Sequence, residues 1–316
     1  MNTRQMFVFT GTAHPALAQS ICDYLQIPLG DAAVTRFPDG ELNVKVNQDV
    51  RGADVFIVQP TCPPVNENLM ELLLLIDCLV RASADRVTAV LPYYGYARKD
   101  RKDEGRVPIT AKLVANLIVK AGACRAVAVD LHATQIQGFF DIPLDHLYAE
   151  PILAKHFQKD KSDELVIVSP DVGSMKLARA FAEHLQAGLA VVDKRRLSPE
   201  ETETHFFIGD VHDKDVLLVD DMIATAGSMA QAALMLKDQG AKSIQVAASH
   251  PVFCGPAVER LSEAPVDHVT VTDTIPLRDS TAAALPITVV SVAGLLGEAI
   301  KRIHLNESVS SLFHLG

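Results

Sequence analysis

Short apolar runs alternate with stretches whose apolar residues recur at helical spacing, almost from end to end of the 316-residue chain. Apolar runs of four or five residues without polar alternation mark strands covered on both faces, so the pattern predicts βα units and parallel sheets. The strands it predicts are Met6–Phe9, Asp54–Val58, Val87–Leu91, Ala126–Asp130, Leu165–Ser169, Leu189–Val192, Val216–Asp220, Ile244–Ala248, His268–Thr272 and Ile287–Val290. Between Asn66 and Ala82, the residues Leu69, Leu72, Leu73, Ile76 and Val80 give one apolar helical face, and the Leu72–Ile76 run predicts deep burial. Further helices are predicted from about Ile109 and over Ser228–Gln239, the latter closed by Gly240.

The two halves repeat one order of elements. Val87–Leu91 leads through a polar loop to a helix, then Gly122-Ala123 and a strand ending near His132. Val216–Asp220 leads through a loop to a helix, then Gly240-Ala241 and a strand ending near His250, with ten positions from Gly to His in both halves. The repeat predicts two similar α/β domains meeting near residues 148–155. Its loops differ: the first is long and basic, the second short and acidic.

Composition narrows the classes. A net charge of −10 argues against broad nucleic-acid binding, and with no tryptophan and 5% aromatics, stacking on bases is scarce. Five scattered cysteines without CxxC spacing predict a reducing compartment, with neither a disulfide framework nor a zinc site. The opening MNTRQMFVFTGT is too short an apolar run for a signal peptide, and no segment is long and apolar enough to span a membrane. A cytoplasmic location is expected.

Four stretches carry chemistry. In VLLVDDMIATAGSM (216–229) a strand ends in Asp220 and Asp221, followed by the small residues Thr225, Ala226, Gly227 and Ser228 at a helix start. Carboxylates there accept hydrogen bonds from sugar hydroxyls, while loop amides and the helix dipole favour a phosphate. A strand-to-helix turn with a capping aspartate is the plainer reading of Asp220-Asp221 alone. PYYGYARKDRKDEGR (92–106) concentrates Arg98, Lys99, Arg101 and Lys102 past a strand end, where α/β proteins bind ligands; on charge alone a solvated charged loop is the plainer reading. Asp130-Leu131-His132 and Asp171 also follow strands, where an oxygen or imidazole can hold Mg²⁺ through waters and substrate, or simply make structural hydrogen bonds. Asp193-Lys194-Arg195-Arg196 opens a polar segment through Leu197–His205, suited to a loop closing on a phosphoryl group or to an ordinary surface loop. No GxxxxGK[ST] occurs, which excludes a P-loop kinase.

Taken in order, RFPDGE, NENLMELLLLIDCLVRASA, PYYGYARKDRK, DLHATQIQGFFDIPLDHL, VSPDVGS, DKRR and LLVDDMIATAGS resemble the class I ribose-phosphate diphosphokinase, or 5-phosphoribosyl 1-diphosphate (PRPP) synthetase, family. The resemblance runs from VFTGTAHPALA to ESVSSLF. It implies two tandem phosphoribosyltransferase-like domains, each a mostly parallel sheet flanked by helices. These would be residues 1–149 and 150–299, with the tail from about 300 to 316 packing on the first. It implies Mg²⁺-dependent transfer of the β,γ-diphosphoryl group of ATP to the anomeric hydroxyl of ribose 5-phosphate, in a homohexamer whose ATP site is shared between subunits.

By motif match, Phe37, Asp39, Gly40, Glu41, Arg98 and Lys99 contact ATP, and His132 and Asp171 contact the metal. Lys194 and Arg196 are the catalytic cations, and Arg196, Asp220, Asp221 and residues Ala224, Thr225, Ala226, Gly227 and Ser228 hold ribose 5-phosphate. An allosteric phosphate site would draw on Asp49, Arg51, Arg106, Ser308, Ser310 and Phe313. Three positions depart from the family pattern: Ala224 stands where an aspartate is usual, Lys99 where a glutamine is common, and Asp49 where a serine is common. A noncatalytic regulatory relative is the main alternative, with Ala224 as its sign. A phosphoribosyltransferase that consumes PRPP would share residues 220–228 but would not need RFPDGE or DKRR.

Overall fold

The computed structural model describes residues 4–195 and 204–312. The chain divides into two compact units. The first comprises the residues up to Tyr148 with Thr274–Pro276 and 291–313; the second comprises Ala149–Asp273 and Leu277–Val290.

The first unit contains β1 (Met6–Thr10), α1 (Pro15–Leu25), β2 (Ala32–Arg36), β3 (Leu42–Val46), β4 (Asp54–Val58), α2 (Val65–Arg81), β5 (Arg86–Leu91), α3 (Thr110–Ala121), β6 (Arg125–Val129) and β7 (Leu144–Leu147). Strands β1-β4-β5-β6-β7 form a wholly parallel sheet in that order, and β2 and β3 form a separate antiparallel hairpin. All five residues of β4 are buried, as a continuous VFIV run requires when helices cover both faces of a sheet. The core face of α2 is rotated from the expected one. Leu69, Leu72, Leu75, Ile76 and Leu79 are buried, whereas Leu73 is half-buried and Val80 exposed. With four consecutive leucines at 72–75, periodicity could not choose the face; the sheet beneath it did.

The second unit contains α4 (Glu150–Phe157), β8 (Leu165–Ser169), α5 (Met175–Leu185), β9 (Gly188–Arg195), β10 (Thr204–Ile208), β11 (Asp215–Met222), α6 (Gly227–Asp238), β12 (Ser243–His250), α7 (Ala257–Glu263), β13 (His268–Thr272), α8 (Asp279–Ala284) and β14 (Ile287–Val290). Its sheet runs β10-β9-β8-β11-β12-β13-β14, parallel throughout except at the β10 edge. Each unit has its own apolar core. The expected α/β class with mostly parallel sheets therefore describes both.

All ten predicted strands are present, and four more were not foreseen: β2, β3, β7 and β10. The hairpin strands are only half-buried, and β7 carries buried Asp145 and His146. Arg125 donates to Asp145 at 2.6 Å, a partner that hydropathy could not supply. In the repeated segments, α3 and α6 end at Gly122 (φ +115°) and Gly240 (φ +87°), left-handed positions natural to glycine. His250 closes β12 and is buried, while His132 lies beyond the end of β6 and is exposed, so the matching spacing hides different surroundings.

The last helix, α9 (Ala293–Leu305), belongs to the first unit, so the return begins nearer Ser291 than residue 300. The Tyr24 ring lies where a Cβ on Gly297 would be, at 2.5 Å, and its hydroxyl donates to Glu298 at 2.9 Å. Beyond that contact, fully buried Asp54 takes a forked ion pair from Arg86 and a 2.8 Å contact from His304 Nδ1, while Arg86 also reaches Asn306 at 2.9 Å. Removing one member of a buried charge cluster leaves the others unpaired. Asp54→Ala should cost about 3 kcal/mol of stability in urea unfolding of the full chain; an unchanged midpoint would show that the tail is held otherwise.

Candidate functional site

In the second unit β8 passes to β9 on one side while β11 lies on the other. The carboxyl ends of β8 and β11 therefore flank a topological switch point, where open α/β sheets bind ligands. Asp171 follows β8, and Asp220 and Asp221 lie near the end of β11. Ser174 connects them: its amide donates to Asp171 Oδ1 at 3.0 Å and its hydroxyl donates to Asp220 Oδ1. Asp220 Oδ1 also accepts from the Asp221 amide at 2.9 Å. Burial first, and the Asp221 charge second, push the Asp220 carboxyl above the ordinary carboxylate range. Asp171 adds to the rise, while the Ser174 hydroxyl and Asp221 amide oppose it.

After β11 the backbone makes an open turn. The Ile223, Ala224 and Thr225 carbonyls are taken by Phe253 N (2.9 Å), Cys254 N (2.9 Å) and Arg260 Nη1 (3.0 Å). Ala226, left-handed at φ +57°, then starts α6 with no side-chain cap. Among the described residues, the amides from Ala224 through Met229 find no acceptor in the protein. Unpaired N–H groups at a helix start form an anion cradle. Thr225 and Ser228 are exposed, Ala224 and Gly227 half-exposed, and Ala226 buried. The expected sugar-phosphate residues 220–228 are thus contiguous in space as well as in sequence.

The first unit collects the other expected residues on strand-end loops. RFPDGE forms the tip of the β2–β3 hairpin, with Phe37 N on Glu41 O at 2.9 Å and Glu41 N on Asp39 Oδ1 at 3.1 Å. Gly40 is left-handed (φ +96°), and Phe37 projects with half its surface exposed. Arg98 and Lys99 are exposed in the loop after β5; Lys99 is paired with Asp103 at 2.7 Å, which holds the Asp103 carboxyl below its usual range. Asp100 accepts from Gln135, which joins this loop to the one bearing His132. The backbone entering that loop is held by the Leu131 amide on buried His146 Nε2 at 2.9 Å.

Not every expected set comes together. Lys194 lies near the end of β9, its backbone opposite His205, while Arg196, residues 197–203 and Phe313 lie outside the described residues. Of the allosteric set, Asp49 accepts from the Arg51 amide at 3.1 Å and Ser308 donates to Ser310 at 3.0 Å. Among the described residues, no hydrogen bond or ion pair joins these two pairs to each other or to Arg106. His132 belongs to the first unit and Asp171 to the second. Two contributors had no signal in the spacing. Ser174 meets Asp220 across 46 residues and Arg260 meets Thr225 across 35.

Among the described residues, no three His, Cys, Asp or Glu side chains are arranged to hold a metal by themselves. The second unit's donors are all oxygen, with Asp221 and Asp171 raising the cost of ionising Asp220. Such a set suits Mg²⁺, which keeps waters and substrate oxygens in its coordination shell.

Comparison with known proteins identifies the fold's kin. A family model described as the N-terminal domain of ribose phosphate pyrophosphokinase matches residues 6–122, and one described as a phosphoribosyl synthetase-associated domain matches 196–314. The chain is 55% identical to a ribose-phosphate pyrophosphokinase of Rhodopirellula baltica, across 98% of this chain and 99% of that protein. The chain belongs to the ribose-phosphate pyrophosphokinase family. Another member, from Caldanaerobacter subterraneus, is 54% identical over 98% of both chains. The crystal structure of phosphoribosylpyrophosphate synthetase from Mycobacterium smegmatis matches with a TM-score of 0.91 at 41% identity, over 96% of this chain and 100% of that one. Among the described residues, no helix is long and apolar enough to cross a membrane.

The raised Asp220 carboxyl has a consequence for stability. The folded protein holds this proton to higher pH than the unfolded chain, whose aspartates titrate near ~3.9. Unfolding therefore releases a proton between that value and the folded group's, about 8, and this group's contribution to stability falls as pH rises through that window. Asp220→Asn removes that loss. Without Mg²⁺ or substrate, the variant should melt above wild type at pH 8, with the gap closing toward pH 4; a gap independent of pH would contradict the assignment.

Proposed function

We propose that the chain is a catalytic ribose-phosphate diphosphokinase, transferring the β,γ-diphosphoryl group of ATP to the anomeric hydroxyl of ribose 5-phosphate to give PRPP and AMP. The observation that carries the reading is the run of acceptor-free amides from Ala224 to Met229 directly after an acidic strand end. A sugar phosphate presents the complementary groups: a dianion for the amides and vicinal hydroxyls for carboxylates. Full-length identity above 50% to proteins named for this activity supports it.

Asp220 and Asp221 accept the ribose 2- and 3-hydroxyls, and the amides of residues 224–228 take the 5-phosphate. This fixes the anomeric hydroxyl for attack on the β-phosphorus. Phe37, Asp39, Gly40 and Glu41 bind ATP from a neighbouring subunit of a hexamer; the exposed Phe37 ring on a projecting hairpin supports that role. Arg98 and Lys99 bind the nucleotide from their own subunit, and for Lys99 this means sharing or leaving Asp103. Lys194 and Arg196 neutralise charge that develops as the bond to the AMP oxygen breaks. His132 and Asp171 are the protein groups toward Mg²⁺. When bound, Mg²⁺ would supply positive charge to offset that of the ATP phosphates. Asp49, Arg51, Arg106, Ser308, Ser310 and Phe313 remain a proposed regulatory phosphate site, with Asp49 opposing an anion there. The reducing cytosol suits five free thiols.

The deciding experiment is AMP release from ATP with and without ribose 5-phosphate. Release that depends on the sugar is expected; none, with ATP still bound, would favour a noncatalytic regulatory relative instead. Within an active enzyme, Ala224→Asp adds a carboxylate on the sugar side of a half-exposed loop position. It should raise kcat/KM for ribose 5-phosphate about threefold to tenfold, the worth of a modest hydrogen bond; no gain would show the existing pair suffices.

A further inference from the structure

The loop that cradles the anion is held open from behind by three carbonyl contacts. Two are backbone: Phe253 N to Ile223 O and Cys254 N to Ala224 O, both 2.9 Å. The third comes from a side chain, Arg260 Nη1 to Thr225 O at 3.0 Å. The same nitrogen lies 3.3 Å from where a Cβ on Gly227 would project, so the guanidinium spans the turn from Thr225 to the first residue of α6. Arg260 stands on α7, is exposed, and among the described residues pairs with no carboxylate.

We propose that Arg260 is a positioning residue that sets affinity for the phosphate of the acceptor sugar. The proposal rests on the reading of residues 224–228 as the 5-phosphate site. A trans peptide is planar, with its C=O and N–H pointing in opposite directions. Fixing the Thr225 carbonyl on Arg260 therefore aims the Ala226 N–H away from α7, among the amides that have no protein acceptor. Without Arg260 that carbonyl is free to turn, and the Thr225–Ala226 peptide plane with it. The left-handed conformation of Ala226 is uncommon for a residue with a Cβ and needs such support. One of the five guanidinium N–H donors makes this bond, and the positive charge stays one residue from the helix start where the dianion binds. Gly227 also matters here, because a side chain would press on the guanidinium.

The test measures ribose 5-phosphate binding by titration calorimetry, and steady-state KM and kcat, in wild type, Arg260→Ala, Arg260→Met and Arg260→Lys. In the Ala and Met variants affinity for ribose 5-phosphate should fall about tenfold, the loss of one charge-assisted contact. KM for the sugar should rise in step, far more than KM for ATP changes or kcat falls. Arg260→Lys, which keeps charge and a donor, should recover most of the affinity. Unchanged sugar affinity in Ala and Met would overturn the proposal. So would equal losses for ATP and sugar with a lowered melting temperature and no rescue by lysine, the signature of general structural damage. Wild-type protein that binds the sugar phosphate but releases no AMP would sink the kinase reading while leaving the calorimetric comparison able to judge Arg260.

Discussion

At adjoining strand ends of the second unit, burial and the charges of Asp221 and Asp171 all work against ionisation of Asp220. Asp171, Asp220 and Asp221 sit at the point where the strand order reverses, beside the uncapped start of α6. Ser174 spends its amide on one carboxylate and its hydroxyl on another rather than capping its own helix. Even so, the Asp220 carboxyl is displaced upward. A packed core has no use for such a cluster, whereas a site for sugar hydroxyls and a hard cation does. The displaced carboxyl marks a candidate functional place.

The cradle beside it is made of backbone and is therefore insensitive to most side-chain changes. Of the six amides without acceptors, those of Ala224, Thr225 and Ala226 belong to peptides whose carbonyls turn the opposite way, onto Phe253, Cys254 and Arg260, and the other three open α6. Ala224 contributes its peptide as an aspartate would, so its substitution alters the sugar side while leaving the phosphate side intact. Arg260 is where a side chain enters this backbone arrangement.

The first unit uses the same kind of framework with different loops. Its strand-end loops are basic and long, tied together by Asp100–Gln135 and by the His146 contact beneath His132. Helix α9 is drawn back onto it by Asp54, Arg86 and His304, which makes the chain's last helix part of its first unit. A duplicated βαβ plan has thus been kept in the cores and altered in the loops, which is where binding residues tolerate change.

The sequence by itself determined the fold class, the ten core strands and the order of the motifs, because continuous apolar runs and glycine-closed helices report burial and chain direction locally. It also marked Asp220, Asp221 and residues 224–228, whose chemistry lies within nine consecutive positions. It left the core face of α2 ambiguous, since leucine fills too many of its positions for periodicity to choose. It was silent on β10, and on β2, β3 and β7, where half-burial or a partly buried ion pair replaces the apolar run. Ser174, Arg260 and the Asp54–Arg86–His304 cluster were decided only by tertiary structure. Each acts on a partner 32 or more residues away, and a hydrogen bond across that distance leaves no periodicity for the sequence to display.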